Sequence, residues 1–172
     1  MDEVHEEILA FRWGRDKSTY INYFTSDPKK LYKLLQCIYQ LEAYPIKEYS
    51  SWMLIHILRS KKVDGTPFYN DLIDTLFKTD NQSVLRNVAN CIMEIGLQEY
   101  RESELIDLLL GFVNDASNKV ALQMYSIRIL MQFCEKYPEL ISEVREVIHL
   151  NSEGKTAAYK VGLRDFERQF QQ

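Results

Sequence analysis

The chain is poor in the residues that mark turns and loops. It has 6 glycines and 4 prolines among its 172 residues. Turn-rich β folds depend on both residue types. We also find no convincing run in which apolar and polar residues alternate, which is the pattern of a half-buried strand. The sequence therefore argues against a β fold, and its length suits one domain with a sizeable core.

Cysteine is also scarce, and the sequence offers no disulfide framework. The chain has three cysteines, an odd number, and they are widely spaced and surrounded by apolar helical patterns; they are Cys37, Cys91 and Cys134. Buried free thiols in a reducing compartment explain them best. The first residues, MDEVHEEILAF, are acidic where a secretory signal needs positive charge. No apolar run approaches the length that spans a membrane. These features together predict a cytoplasmic protein.

The sequence shows no assembled catalytic or metal-binding motif. No two of its three histidines have the i,i+4 spacing of a helical metal site, and no cysteine or carboxylate nearby in the sequence completes one. A thiol–imidazole pair of Cys91 and His56 is conceivable, but Cys91 lies among apolar residues, which favours a buried thiol. A glycine-rich loop that could cradle phosphate is missing as well. We expect no cofactor, no metal and no catalytic residue.

The balance of charge gives little support to nucleic-acid binding. The chain has 21 lysine and arginine residues and 25 aspartate and glutamate residues, which gives a formal net charge of −4. Sequence-independent binding to nucleic acid relies on neutralising phosphates with cationic side chains. Such an activity would need a local basic patch.

The strongest helical pattern covers residues 118–137, NKVALQMYSIRILMQFCEKY. Its apolar residues recur at steps of three and four and surround most of the helix, so the helix must be covered on more than one side. Pro138 ends the pattern. Asp27 followed by Pro28 is a clear helix start, with Asp27 as N-cap and Pro28 at the first helical position. Ser103 is the expected cap of a helix over 104–113.

The predicted helices form a repeat. The first apolar positions of four successive first helices are separated by 37, 37 and 35 residues, and they are Leu31, Phe68, Leu105 and Leu140. Small residues occupy one position of the second helices and suggest a close helix crossing in each unit; they are Ser51, Ala89, Ser126 and Gly162. Because one helical pair cannot bury its own apolar faces, stacked pairs are needed for a continuous core. We expect one domain over 1–172, with an N-terminal helical cap over 1–26 and repeats over about 27–64, 65–100, 101–137 and 138–172.

This repeat resembles HEAT and armadillo α-solenoids. More narrowly, KVALQMYSIRIL, TAAYKVGLRDF and SSWMLIHI are similar to a family of small bacterial HEAT-like proteins that are often labelled adenylosuccinate lyase. The resemblance implies an all-α superhelix and supplies no catalytic residues. Lyases of that superfamily carry a loop with Ser-Ser-x-Met-Pro-x-Lys-x-Asn-Pro. The nearest stretch, Ser50-Ser51-Trp52-Met53, continues as an apolar helix, so we consider the lyase activity unsupported by the residues.

The polar positions of the second helices are the candidate binding surface. In solenoids these helices usually line the concave side, where partner segments bind. An ordinary solvated face is the equally plausible reading for any single residue. The candidate residues on the predicted concave face are Trp52, His56, Arg59, Arg86, Asn87, Asn90, Gln123, Arg128, Tyr159 and Arg164.

Three functions compete on these observations. The leading one is a non-enzymatic scaffold that binds a protein or peptide on its concave face. The second is a nucleic-acid-binding protein of the HEAT-like DNA-glycosylase type, which the net charge disfavours. The third is the lyase activity of the family label. The fold also allows a homodimer, for which we see no specific signal. A tyrosine-rich region over 20–49 fits packing of the N-terminal cap better than a partner surface.

Overall fold

The structure of the protein, a computed structural model, describes residues 2–171. This part of the chain contains helices and no β-strand, which confirms the all-α class. The ten α-helices are α1 (Glu3–Ala10), α2 (Lys17–Thr25), α3 (Pro28–Tyr39), α4 (Ile46–Arg59), α5 (Tyr69–Lys78), α6 (Gln82–Ile95), α7 (Glu102–Asn114), α8 (Val120–Lys136), α9 (Ile141–Leu150) and α10 (Ala157–Gln169). Within residues 2–171, none of them is both long and apolar enough to cross a membrane.

The chain divides into two compact units, Met1–Gly96 and Leu97–Gln172. In the first unit α4 is the central helix, because it packs against α1, α2, α3 and α6. These neighbours bury eight of its fourteen residues. Helix α5 packs against α6 and, less extensively, against α3. The N-terminal helices therefore cover one side of α4.

Polar contacts show that α4 and α6 run in the same direction. Near their N-terminal ends, Asn87 Nδ2 donates to Ser51 Oγ at 3.1 Å. Near their C-terminal ends, Arg59 Nε donates to Glu94 Oε1 at 2.7 Å. Parallel second helices are what stacked helical pairs produce. The two helices thus present one continuous side of the first unit.

In the second unit α8 is the central helix, because it packs against α7, α9 and α10. Nine of its seventeen residues are buried, as its mostly apolar surface requires. Gly162 of α10 lies against Met124 of α8, and Gln169 donates a hydrogen bond to Glu135 farther along both helices. Helices α8 and α10 are therefore also parallel.

Local sequence signals fix most helix ends. Asp27 accepts the backbone N–H of Lys29 at 2.9 Å, as predicted for an N-cap that precedes a proline. Gly14 has φ 81° and closes the 3-10 turn after α1, where the sequence predicts a break. The expected cap at Ser103 is wrong. The helix α7 begins at Glu102 after Arg101, whose φ is 48°, so the helix starts two residues earlier than predicted.

Two prolines begin their segments as 3-10 turns before the α-helix proper. Thr66–Phe68 precedes α5, and Pro138–Leu140 precedes α9. The sequence predicts helix from both prolines onward, since φ of proline suits a first turn. The tighter 3-10 geometry is common at helix termini. It places the start of α5 two residues after Pro67 and the start of α9 three residues after Pro138. The helical pairs themselves are unaffected.

The four small residues of the second helices are all buried, but they do not occupy equivalent places. Ser51 faces the following second helix, where it bonds Asn87. Gly162 faces the preceding one, where a Cβ atom would come within 2.7 Å of the Met124 side chain. The spacing of these residues recurs in the sequence, yet the structure uses them on different sides. Ser51 and Gly162 therefore face different sides of their helices, because periodicity does not fix the rotation of a helix.

Candidate functional site

Exposed and half-buried side chains of α4 and α6 form the candidate site in the first unit. Every residue that the sequence predicts there lies on one of these two helices. We call this surface the α4–α6 face, and its residues are Trp52, His56, Arg59, Arg86 and Glu94. Asn90, which the sequence also predicts here, is 5% exposed, and its prediction as an exposed binding residue is corrected by this burial.

Aromatic packing covers part of this face at Trp52. Its ring lies 4.2 Å from the His56 ring and 4.5 Å from the Phe11 ring, measured between centroids. Tyr20 packs against both Trp52 and His56. The ammonium of Lys17 lies 5.6 Å from the Trp52 centroid, within the range of a cation–π contact. The N-terminal helices thus bury one flank of Trp52 and bring a cation to it.

His56 is neutral at physiological pH. Burial, together with the positive charges of Lys17 and Arg59, lowers the pKa of His56 to about 4. Burial is the larger cause, and the two cations add positive charge at this part of the α4–α6 face.

Arg59 bridges the two helices at the C-terminal end of the face. Its Nε donates to Glu94 Oε1 at 2.7 Å, and its Nη2 donates to Asn90 Oδ1 at 3.0 Å. The Arg59 side chain remains 44% exposed, whereas Glu94 is 20% exposed. An ion pair of this exposure contributes about 0–1 kcal/mol to folding. The guanidinium can therefore be shared with an incoming carboxylate at little cost to stability.

Asn87 is a buried structural residue, and its prediction as a binding residue is corrected. It is 2% exposed. Its Nδ2 donates to Ser51 Oγ and, at 3.4 Å, to Glu48 O, while its Oδ1 accepts from Arg86 Nε at 3.2 Å. An asparagine inside a strong helix is explained by these bonds between α4 and α6. Asn87 holds the Arg86 guanidinium at the surface and is not itself presented.

Two predicted residues of the second unit are also interior. Gln123 is 0% exposed and donates to Val113 O and Asp115 O, both at 3.1 Å. Tyr159 is fully buried and donates to Ile148 O at 3.1 Å. Each polar side chain satisfies backbone carbonyls at the end of the preceding helix. Their prediction as exposed binding residues is corrected by this burial.

Arg128 of α8 and Arg164 of α10 are exposed, as the sequence predicts for binding residues. Within residues 2–171, neither guanidinium has a hydrogen bond or an ion pair to the protein. Each is available to a ligand without breaking an internal contact.

Lys17 lies beside the α4–α6 face but was missed as a candidate for a partner contact. Lys17 lies on α2, which the sequence assigns to a cap at the end of the array. Its distance from Trp52 follows from how α2 packs on α4, and no spacing in the sequence encodes it. Glu94 was recognised as a polar position of its helix, but its pairing with Arg59 across 35 residues was not.

Cys91 is a core thiol. It is fully buried, and its Sγ lies 4.0 Å from Ser51 O. Burial raises the pKa of this thiol, which keeps it protonated and unreactive. All three cysteines are buried and free, as the sequence predicts.

The packing of the helices and the positions of their polar side chains define a class of protein. Consecutive helical pairs whose second helices run parallel, with polar side chains along them, are the structure of an α-helical repeat scaffold. The chain belongs to the HEAT repeat domain family, whose model matches residues 8–170. This membership confirms the HEAT-like α-solenoid predicted from the repeat. No curated protein and no solved structure matches the chain.

The family assignment carries a general function. HEAT repeat domains are helical scaffolds that often mediate protein interactions, and the family is generally non-enzymatic.

Proposed function

We propose that this protein is a non-enzymatic HEAT-like scaffold that binds an acidic segment of a protein or peptide on the α4–α6 face. The observation that carries the proposal is the surplus of positive charge around a half-buried aromatic ring. Lys17 lies near the Trp52 ring, Arg59 carries its charge near His56, and Arg86 is held on α6 by Asn87. Glu94 pairs with Arg59.

The low pKa of His56 supports an anionic ligand. Lys17 and Arg59 both disfavour a further proton on the imidazole. A carboxylate that enters the same region meets a favourable potential for the same reason. Arg86 offers a planar donor that asparagine already orients, and oriented arginines suit bidentate contacts with carboxylates.

Trp52 supplies the apolar part of the proposed site. Interfaces are enriched in tryptophan and arginine, and residues of these types often carry much of the binding energy. In the second unit, Arg128 and Arg164 remain proposed contacts because they are exposed and internally unpaired. The free, buried cysteines support a cytoplasmic location for this scaffold.

Selection of displayed peptides against the full chain tests the proposal. We expect enriched peptides to carry aspartate or glutamate, and to bind the chain with an affinity that falls as salt rises. Arg86→Glu should weaken binding of an enriched peptide by at least about tenfold, since about 1.4 kcal/mol corresponds to that factor and charged contacts reach it. The affinity is measured by fluorescence anisotropy.

Lys29→Glu is the matched control. It makes the same change of charge on an exposed lysine at the first turn of α3, away from the α4–α6 face. Binding should persist in this variant. Equal losses in Arg86→Glu and Lys29→Glu would show attraction by net charge only. Duplex DNA at low salt is the competing ligand, and tighter binding to it than to any peptide would replace the proposal with the nucleic-acid function.

A further inference from the structure

Three possible metal ligands meet where α1 packs beside the end of α3. They are His5, Cys37 and Glu42, and their ligand atoms all lie within 4.8 Å of one another. The histidine pattern predicts no metal site, because His5 is separated from its neighbours by more than thirty residues in the sequence. Only the packing of α1 beside α3 brings the imidazole to the thiol and the carboxylate.

The end of α3 folds Glu42 back beside Cys37. Leu41 has a φ of 52°, which is uncommon for a residue other than glycine. This turn lets Glu42 N donate to Cys37 O at 3.2 Å and Leu41 N donate to Ile38 O at 3.1 Å. The two bonds are those of a helix C-terminal motif that holds the chain in a left-handed turn. The separation of the thiol and the carboxylate is therefore set by the backbone.

The imidazole of His5 is oriented by Asp2. His5 Nδ1 lies 2.8 Å from Asp2 Oδ1, and that oxygen also accepts the backbone N–H of His5 at 3.1 Å. Lys33 Nζ bonds the other oxygen of Asp2 at 3.0 Å. The opposite ring nitrogen, Nε2, faces Glu42 Oε2 at 2.7 Å. A carboxylate behind the ring is the usual partner of a histidine that ligates zinc.

Ser50 is a buried polar residue that lies against the cluster. Its side chain is 0% exposed, and its hydroxyl lies beside the Cys37 thiol. Among residues 2–171, the Ser50 Oγ atom has no nitrogen or oxygen hydrogen-bond partner. Buried hydroxyls are normally satisfied. A thiolate at Cys37 would accept this hydrogen, and a bound cation is what would keep that thiolate charged in a buried place.

We propose that His5, Cys37 and Glu42 bind one divalent transition-metal ion of the Zn²⁺ class. A tetrahedral zinc with bonds of about 2.0–2.3 Å needs its ligand atoms about 3.3–3.8 Å apart. The present separations require a small opening of the bond between His5 and Glu42. Thiolate and imidazole select such a metal over Mg²⁺ or Ca²⁺, which prefer oxygen ligands. The exposed edges of His5 and Glu42 leave a route to solvent and room for a water as fourth ligand.

The surrounding charges suit a bound cation. Glu42 and Asp2 contribute two carboxylates, and the thiolate adds a third negative charge once it is deprotonated. Lys33 neutralises Asp2 on the side away from the ring, and Lys47 Nζ bonds the backbone carbonyl of Glu42 at 3.1 Å. The ion would tie α1 to the end of α3, so its main effect is on the stability of the N-terminal helices. The site is separate from the α4–α6 face and does not rest on the proposed function.

Titration of the metal-free full chain with Co²⁺, followed by competition with Zn²⁺, tests the site. We expect one Co²⁺ per chain, with a thiolate-to-cobalt charge-transfer absorption that Zn²⁺ abolishes. Cys37→Ser should remove this absorption. Glu42→Gln and His5→Gln should each weaken binding at least about tenfold, and Asp2→Asn about tenfold through the orientation of His5. The melting temperature should rise with Zn²⁺ in the wild type.

Cys134→Ser is the matched control, because it removes another buried free thiol in the second unit. It should keep both the absorption and the stoichiometry. Glu42→Gln and His5→Gln change partly exposed side chains, so they remain informative if Cys37→Ser does not fold. Absence of stoichiometric Co²⁺ and Zn²⁺ binding by the wild type would overturn the proposal. So would a charge-transfer absorption that survives in Cys37→Ser.

Discussion

Gly65 is the position where one methyl group should be hardest to accommodate in the first unit. It is buried in the loop between α4 and α5, with φ −83° and ψ −14°, a conformation that alanine adopts freely. A Cβ atom there would lie 2.5 Å from Ile95 Cγ1 and 2.7 Å from Leu58 Cδ2. The cost of Gly65→Ala therefore comes from packing and not from the backbone.

The size of this destabilisation follows from how far the two distances fall below the normal contact distance between carbon atoms. Carbon atoms attract best at about 3.5–4.0 Å, so the new methyl overlaps both neighbours by about 1 Å. Overpacking of this kind costs about 1–3 kcal/mol. Replacing glycine also stabilises by about 0.4–1 kcal/mol, because alanine restricts the unfolded chain. We expect a net loss of about 1–2 kcal/mol.

Denaturation by urea, followed by circular dichroism, measures this loss. Gly111→Ala is the control, because Gly111 is an exposed residue inside α7 and a Cβ there meets nothing within 4 Å. That variant should be stabilised by about 1 kcal/mol through helix propensity. In an Ile95→Ala background, Gly65→Ala should cost less than in the wild type, since the closest clashing atom is gone. If Gly65→Ala proves as stable as the wild type, the packing argument fails.

Two further predictions concern single side chains. His56 has a pKa of about 4 when folded and about 6.5 when unfolded, so the unfolded chain binds the proton first as pH falls. The stability that neutral His56 gives is therefore complete above pH 6.5 and is lost as the pH falls towards 4. Between pH 7 and pH 5, the wild type should lose about 1 kcal/mol more of its free energy of unfolding than His56→Gln does. Parallel pH profiles would contradict this. Tyr159→Phe should lower the free energy of unfolding by about 1 kcal/mol, because it leaves Ile148 O without its buried donor. Denaturation of Tyr32→Phe, which changes an exposed tyrosine of α3, provides the comparison, and equal losses in both variants would refute a special role for the Tyr159 bond.

Much of the fold is predictable because each helical pair carries its own signals. Helix α8 differs from its predicted range by only two residues at the start and one at the end. Apolar spacing and prolines are local properties of the chain, and they determine helices locally. The start of α7 was mispredicted because a left-handed residue at Arg101 does not follow from residue preferences.

The candidate site is only partly predictable because burial depends on neighbouring helices. A polar residue on a second helix can be exposed, as Arg128 is, or satisfy a backbone carbonyl, as Gln123 does. Both have the same appearance in the sequence. The rotation of each helix decides between the two, and the differing surroundings of Ser51 and Gly162 show that the repeat period does not fix that rotation.

The two tryptophans occupy opposite kinds of environment, which gives the protein a built-in optical probe. Trp13 is 85% exposed, whereas Trp52 lies between Phe11 and the imidazole of His56. In a Trp13→Phe chain, all indole fluorescence originates from one ring beside Lys17. The wavelength and intensity of that emission then report on the surroundings of Trp52 alone, without an attached dye.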